Sequence, residues 1–136
     1  MIVVDTNVWF ETADETHRDY ERCVNVLRDN AGRLVTPATV IVETAWLIED
    51  RLGPAIEATF LRTVTSPAVE IIDLTPTDWA RVIELVETYA DLGLGTVDAS
   101  IIAIAERMDI TTIATINYRD FRVVRPNHVA AFELIP

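Results

Sequence analysis

The chain alternates short apolar runs with longer segments in which apolar residues recur at helical spacing. Strands are predicted where apolar residues follow one another, at 1–4, 33–35, 69–72 and 112–115, with a weaker edge strand at 121–124. The first run, Met1-Ile2-Val3-Val4, is continuous rather than alternating, which is typical of a strand buried on both faces of a parallel sheet.

Helices are predicted between these runs, at about 17–29, 36–51, 55–65, 75–89 and 96–108. Thr36 and Pro37 indicate a helix start, with a capping residue followed by proline at the first helical position. Thr96 is expected to cap the last helix, and the tail from Pro126 is predicted to be irregular. Strands that alternate with helices predict an α/β fold whose parallel sheet is covered on both faces.

Composition and charge narrow the class of protein. The 136 residues suit one domain, 1–136, and half of them are hydrophobic, yet no apolar run approaches a membrane span. The lone Cys23 and the lack of a leader-like N-terminus predict a reducing, cytoplasmic setting. A net charge of −11 opposes simple phosphate binding. All eleven basic residues are arginine, so chemistry that requires a lysine is excluded.

Three acids occupy positions where a purely structural role does not require them. Asp5 ends the first strand, Glu43 interrupts the apolar stripe of a predicted helix, and Asp98 follows a glycine-rich turn. Carboxylates from three distant elements suggest one shared divalent cation. Each also has an ordinary interpretation: Asp5 as a helix cap or part of an Asx turn, Glu43 as a buried acid bonded to an arginine or a capping site, and Asp98 as a favourable charge at a helix start.

The last third of the chain holds two further groups of polar residues. Thr115, Asn117 and Asp120 follow a predicted strand and offer oxygen ligands or groups that position water, although an ordinary turn fits the same spacing. Basic residues crowd the final 18 positions, where three arginines are candidate phosphate contacts or members of a solvated face: Arg119, Arg122 and Arg125.

Taken in order, these segments resemble the motifs of PIN-domain ribonucleases, and more narrowly the VapC toxins of bacterial toxin–antitoxin pairs. The segments that carry the resemblance are Val4-Asp5-Thr6-Asn7-Val8, the helical Glu43, Thr96-Val97-Asp98-Ala99-Ser100 and Thr115-Ile116-Asn117-Tyr118-Arg119-Asp120-Phe121. The resemblance covers essentially the whole chain. It implies a three-layer α/β/α sandwich with a central, mainly parallel sheet of about five strands.

The resemblance also implies a metal-dependent endoribonuclease. Mg²⁺, or Mn²⁺ in its place, would be held by Asp5, Glu43 and Asp98, and a metal-activated water would cleave RNA to a 5′-phosphate and a 3′-hydroxyl. The fourth acid of the pattern falls on Asn117, with Asp120 one turn later, and either could complete the site. Hydroxyl and amide groups would support it, from Thr6, Asn7, Thr96 and Thr115.

The partners implied are a VapB-type antitoxin, an RNA substrate such as tRNA or rRNA, and a second copy of the chain. Trp9, Phe10 and Phe60 are candidates for such an apolar surface or, equally, for the core. Two alternatives stay open: a PIN-type nuclease of RNA processing, and a degenerate PIN module that only binds a partner. A dehalogenase-like phosphatase is disfavoured, because Asn7 stands where its second aspartate is needed.

Overall fold

A computed structural model describes all residues, Met1–Pro136. Five strands and seven α-helices follow one another along the chain, together with a short 3₁₀ helix at Ala90–Leu92. Their bounds are β1 Ile2–Val4, α1 Thr6–Glu11, α2 Tyr20–Asp29, β2 Leu34–Pro37, α3 Ala38–Leu52, α4 Pro54–Val64, β3 Val69–Ile72, α5 Pro76–Thr88, α6 Thr96–Arg107, β4 Thr112–Ala114, α7 Tyr118–Val123 and β5 Glu133–Ile135.

All five strands form one parallel sheet in the order β3-β2-β1-β4-β5. The chain builds outwards from β1 to β3, and then crosses back to place β4 and β5 on the other side of β1. Because ligands of open α/β sheets bind where the strand order reverses, the carboxyl ends of β1 and β4 are the expected position of a site.

Helices cover both faces of the sheet, which confirms the predicted α/β/α sandwich. Since parallel β–α–β connections are right-handed, α1–α4 cover one face and α5–α7 the other. Val3 pairs in register with Val35 and Ile113, and all three side chains are fully buried in the central strands. Each buried aliphatic side chain of this size stabilises the fold by about 2 kcal/mol.

The C-terminal quarter departs from the prediction. Residues 121–124 form no strand; Phe121 lies in α7, and Phe121 and Val124 are both buried at the three-residue spacing of one helix face. The fifth strand is instead Glu133–Ile135, within the tail predicted to be irregular, and it pairs with β4 through Leu134 and Ile113.

Several helix starts also differ from the sequence-based prediction. The short helix α1 was not predicted. Pro37 is the last residue of β2 and the cap of α3 rather than its first helical residue, and Thr36 is a fully buried strand residue. Thr96 is the first residue of α6, whose cap position is Gly95, so the predicted capping role of Thr96 is wrong. No helix in the structure has the length and apolar character that crossing a bilayer requires.

Candidate functional site

Asp5 lies directly after β1, at the point where the strand order reverses, and only 3% of it is exposed. Its Oδ1 accepts a hydrogen bond of 2.7 Å from the backbone N–H of Thr6, which caps α1. Its Oδ2 accepts one of 2.7 Å from the Thr115 hydroxyl and one of 2.9 Å from the Asn7 amide. Burial nevertheless raises the pKa of Asp5 to about 6, against the opposing effect of these hydrogen bonds.

Thr115 ties the ends of β1 and β4 together. Besides donating to Asp5, its Oγ1 accepts a 2.9 Å hydrogen bond from the backbone N–H of Asn117. Asn7 forms a second tie, because its Oδ1 accepts from the backbone N–H of Ile116 at 3.0 Å. The orientation of the Asp5 carboxylate is therefore fixed by residues that follow two neighbouring strands.

Glu43 reaches the same region from α3. The Thr6 hydroxyl donates to Glu43 Oε2 at 3.0 Å, and the side chain is only partly buried. None of the ion pairs in the structure involves Glu43, so the interpretation of Glu43 as an acid bonded to an arginine is wrong.

Asp98, in the first turn of α6, has no hydrogen-bonding or ion-pairing partner on its side chain. Burial raises the pKa of Asp98 to about 7, and the nearby charge of Asp5 adds to this effect. Smaller repulsions from Asp120 and Glu43 act in the same direction. A half-buried carboxylate that is surrounded by other acids and lacks a cation is electrostatically unfavourable unless a proton or a metal ion joins it.

These acids meet at one cavity of about 280 Å³ at the carboxyl edge of the sheet. Its lining residues are Asp5, Thr6, Asn7, Phe10, Glu43, Leu47, Asp98 and Asn117. Phe10 and Leu47 were not foreseen as lining residues, although Leu47 follows Glu43 by one helical turn and so shares its face. Phe10 could be foreseen only once 6–11 is known to be helical.

The donor set of this cavity suits a hard divalent cation, since every polar group that lines it offers oxygen and no basic side chain is present. The acids are not, however, drawn together into a group of three that could hold an ion by themselves. An ion here would bind one or two carboxylates directly and keep water in its remaining positions, which is the usual behaviour of Mg²⁺ in proteins.

A second group of charged residues, on α5 and α6, differs from the carboxylate cavity because its acids are paired with arginines. Asp78 forms a 2.9 Å ion pair with Arg107, and Arg81 forms one of 2.9 Å with Glu106. Burial acts to raise the pKa of Asp78, but hydrogen bonds from Arg107 and Thr75 outweigh it and lower that pKa, whereas the pKa of Asp98 is raised. Acids at this cluster are neutralised within the protein, whereas those at the carboxylate cavity are not.

The final motif contributes Asn117 rather than Asp120 to the cavity lining. Asn117 Nδ2 donates to Asp120 Oδ2 at 3.1 Å, so Asp120 contacts the amide that lines the cavity and does not line the cavity itself. The charge of Asp120 still reaches Asp98, because it is among the causes that raise the pKa of Asp98.

Other predicted site residues do not join the cavity. Thr96 is exposed and lies outside the lining. Arg119 pairs with Asp120 at 3.4 Å, and the Arg122 guanidinium lies over the Tyr118 ring at 5.3 Å. Arg125 donates to carbonyl oxygens of its own turn, the shortest bond being 2.7 Å. Arg119 and Arg125 are therefore engaged by neighbouring oxygen atoms, whereas the Arg122 side chain takes part in no ion pair or hydrogen bond.

The apolar surface also differs from the expectation. Trp9 and Phe60 are 2% and 7% exposed and pack edge to face at 6.0 Å, so they belong to the core. The two most exposed large apolar side chains are instead Val42 and Trp46 of α3, which are 70% and 62% exposed. With Ala38, Thr39, Glu43 and Val97 they line an open depression of about 570 Å³ beside the carboxylate cavity.

Comparisons with known proteins agree with this arrangement. The chain is 27% identical, over 99% of its length and 100% of the relative's, to Ribonuclease VapC26 of Mycobacterium tuberculosis. Among solved structures, VapC20 of Mycobacterium tuberculosis, described as a sarcin–ricin loop cleaving toxin, matches with a TM-score of 0.78 and 18% identity, over 83% of this chain and 87% of that one. A toxin–antitoxin complex from Klebsiella pneumoniae matches with a TM-score of 0.71 and 17% identity, over 91% and 92% of the two chains. The PIN domain family model matches residues 2–125, and the chain therefore belongs to the PIN domain family.

Proposed function

We propose that this protein is a single-domain, cytoplasmic endoribonuclease that acts as the toxin of a VapBC-type toxin–antitoxin pair. The observation that carries the proposal is the cavity that gathers Asp5, Glu43 and Asp98 without any neutralising basic side chain. Its family and its similarity to a protein named as a ribonuclease support the same reaction class. A cavity lined by acids repels a phosphodiester, and a bound divalent cation would offset that repulsion.

The cofactor we propose is Mg²⁺, with Mn²⁺ able to replace it, held by Asp5 and Asp98 and through water by Glu43. When bound, such an ion lowers the pKa of coordinated water and offsets charge on the phosphate during attack. The oxygen ligands in the cavity lining support this assignment. The pKa of Asp98 also supports it, because burial and then the charge of Asp5 raise that pKa and a bound cation would lower it.

The protein's own residues then orient the groups that react. Thr115 and Asn7 hold the Asp5 carboxylate in one orientation through hydrogen bonds of 2.7 and 2.9 Å. Glu43, held by Thr6 on one oxygen, keeps its second oxygen free to accept a proton from the attacking water. Asn117 lines the cavity and can orient water or a phosphate oxygen through its side-chain amide. The expected products are a 5′-phosphate and a 3′-hydroxyl.

The proposed partners are an RNA such as tRNA or rRNA, a VapB-type antitoxin and a second copy of the chain. A cavity rich in acids on a chain of net charge −11 suits a basic antitoxin segment. The depression around Val42 and Trp46 adjoins that cavity through Glu43, and its exposed apolar surface suits a protein contact. The described toxin–antitoxin complex of similar fold supports such a partner.

Purified protein incubated with total RNA tests the reaction. We expect discrete new 5′-phosphate ends with Mg²⁺ or Mn²⁺, none with a chelator, and none from the Asp98→Asn variant under any condition. Cleavage by repurified Asp98→Asn protein at the wild-type rate would contradict the metal-site proposal. The degenerate-module alternative rests on Asn117, and calorimetric Mn²⁺ binding by the wild type but not by Asp98→Asn would oppose it.

A further inference from the structure

Phe10 forms an apolar wall of the carboxylate cavity and is itself covered by a cation. The Arg51 guanidinium lies over the Phe10 ring, 5.5 Å from its centroid. His17 stacks on the same ring, with centroids 5.0 Å apart and planes inclined by 28°. An arginine over an aromatic face is attracted by the ring's electron density, so Phe10 limits where this guanidinium can lie.

Arg51 occupies the same face of α3 as the acid that enters the cavity. Leu47 lies one turn after Glu43 and Arg51 one turn after Leu47, and both Glu43 and Leu47 line the cavity. Arg51 lies eight positions after Glu43, which is about 12 Å along the helix axis. Arg51 therefore stands at the rim of the cavity, at the end of the wall formed by Leu47 and Phe10.

The hydrogen-bond donors of Arg51 are free. Arg51 is exposed, and it takes part in none of the ion pairs or side-chain hydrogen bonds of the structure. By contrast, Arg119 is paired with Asp120, and Arg125 bonds to backbone carbonyl oxygens. A guanidinium positioned by a ring rather than by a carboxylate keeps its full charge and its donors for a ligand.

An RNA strand entering this cavity needs such a group. The acids repel phosphates, and a metal ion held by Asp5 and Asp98 would offset that repulsion mainly for the nearest phosphate. Phosphates on either side of that one face a chain of net charge −11. We propose that Arg51, held by Phe10, binds a phosphate adjacent to the cleaved one and so fixes the position of the RNA strand. The proposal rests on the ribonuclease function proposed above.

The salt dependence of RNA binding tests this contact directly. All proteins in this assay carry Asp98→Asn so that the RNA stays intact. They are titrated with fluorescein-labelled single-stranded RNA of random sequence, and fluorescence anisotropy is recorded at several salt concentrations. Arg51→Ala should weaken binding about tenfold at low salt, as expected for a lost bond to a charged group. It should also reduce the slope of log K against log salt by about 0.7, the value for one phosphate contact on a single strand.

Arg62→Ala is the matched control, because Arg62 is an exposed arginine of α4 that takes part in no ion pair and lies outside the cavity. It removes the same charge and should leave the slope unchanged. Arg51→Lys keeps the charge but lacks the paired N–H donors of a guanidinium. It should therefore have the salt slope of the Asp98→Asn parent protein and only part of its affinity for RNA. In the nuclease assay with Asp98 intact, Arg51→Ala should raise KM about tenfold with little change in kcat. This is expected because the contact would bind the RNA equally well in the ground state and in the transition state.

Equal slopes and affinities for Arg51→Ala and Arg62→Ala, with RNA bound and cleaved, would overturn the assignment of Arg51 alone. RNA that is neither bound by the Asp98→Asn protein nor cleaved by the wild type would overturn the ribonuclease proposal, and Arg51 with it. Thermal unfolding of each variant accompanies the titrations. A lower affinity of Arg51→Ala that Arg51→Lys fails to restore, together with an early unfolding transition, would assign Arg51 a structural role instead.

Discussion

Replacing Asp98 by asparagine should stabilise the metal-free protein while abolishing its activity. The pKa of Asp98 is raised from 3.8 to about 7, chiefly by burial and then by the charge of Asp5. Because the folded protein holds this proton more tightly than the unfolded chain does, stability falls as pH rises from about 4 to about 7. The penalty is absent below this window and complete above it. Asparagine keeps the shape of the side chain and carries no charge, so it avoids the penalty.

The size of the gain follows from that raised pKa. A difference of about three pH units corresponds to about 4 kcal/mol at 1.36 kcal/mol per unit, which is an upper bound. Since Asp98 is only partly buried and solvent screens its charge, about 2 kcal/mol is the expected gain at pH 8. At pH 5, where the wild-type carboxyl is largely protonated, the gain should be much smaller.

Urea unfolding in the presence of a chelator measures this difference at both pH values. Glu87→Gln is the matched control, because Glu87 is an exposed acid of α5 and its replacement should change stability little. Adding Mn²⁺ at about 100 times its Kd should stabilise the wild type by about 2.7 kcal/mol and leave Asp98→Asn unaffected. An Asp98→Asn protein that is less stable than wild type at pH 8 without metal, or one that gains equally at pH 5 and pH 8, would show that the Asp98 charge does not destabilise the fold.

Three further predictions concern other parts of the molecule. Thr115→Val removes the 2.7 Å hydrogen bond to Asp5, and we expect about tenfold lower kcat with a pH profile shifted upwards, because that bond lowers the pKa of Asp5. Arg107→Ala removes the ion-pair partner of the buried Asp78 and should lower the free energy of unfolding in urea by about 3 kcal/mol. RNA cleavage per folded molecule should stay at the wild-type level. A loss of cleavage would show that this cluster is not purely structural. Trp46→Glu places a charge in the exposed depression. It should weaken antitoxin binding in calorimetry, or convert a dimer to a monomer in light scattering. If neither measurement changes, this surface is not one of the proposed contacts.

The sequence predicts well those features that follow from local patterns. Met1 to Val4 is continuously apolar, so β1 is recognisable as a central strand, and Asp5 must then lie at its carboxyl end. Glu43 and Asp98 attract notice because a carboxylate on an apolar helix face is costly. Asp5 lies beside Thr115 because β4 returns to pair with β1 in the sheet.

Features decided by distant contacts were not predictable. Phe121 and Val124 suit a strand by residue type, but they are buried together on one helical face of α7 and its cap. The weakly patterned Glu133–Ile135 becomes a strand because β4 offers it a free edge. Arg125 donates to carbonyl oxygens of its own turn, and the Arg51 guanidinium of α3 lies over the Phe10 ring of α1. Both contacts depend on how the chain folds, so no sequence pattern indicates them.

Induced expression in a bacterial host, followed by 5′-end mapping of total RNA, shows whether the carboxylate cavity cleaves RNA. Wild type and Asp98→Asn are expressed to equal soluble levels, with Glu87→Gln as a charge-matched control. We predict growth arrest and the same discrete new 5′ ends from wild type and Glu87→Gln, and neither effect from Asp98→Asn. Identical new ends from wild type and Asp98→Asn would show that the carboxylate cavity is not the cleavage site.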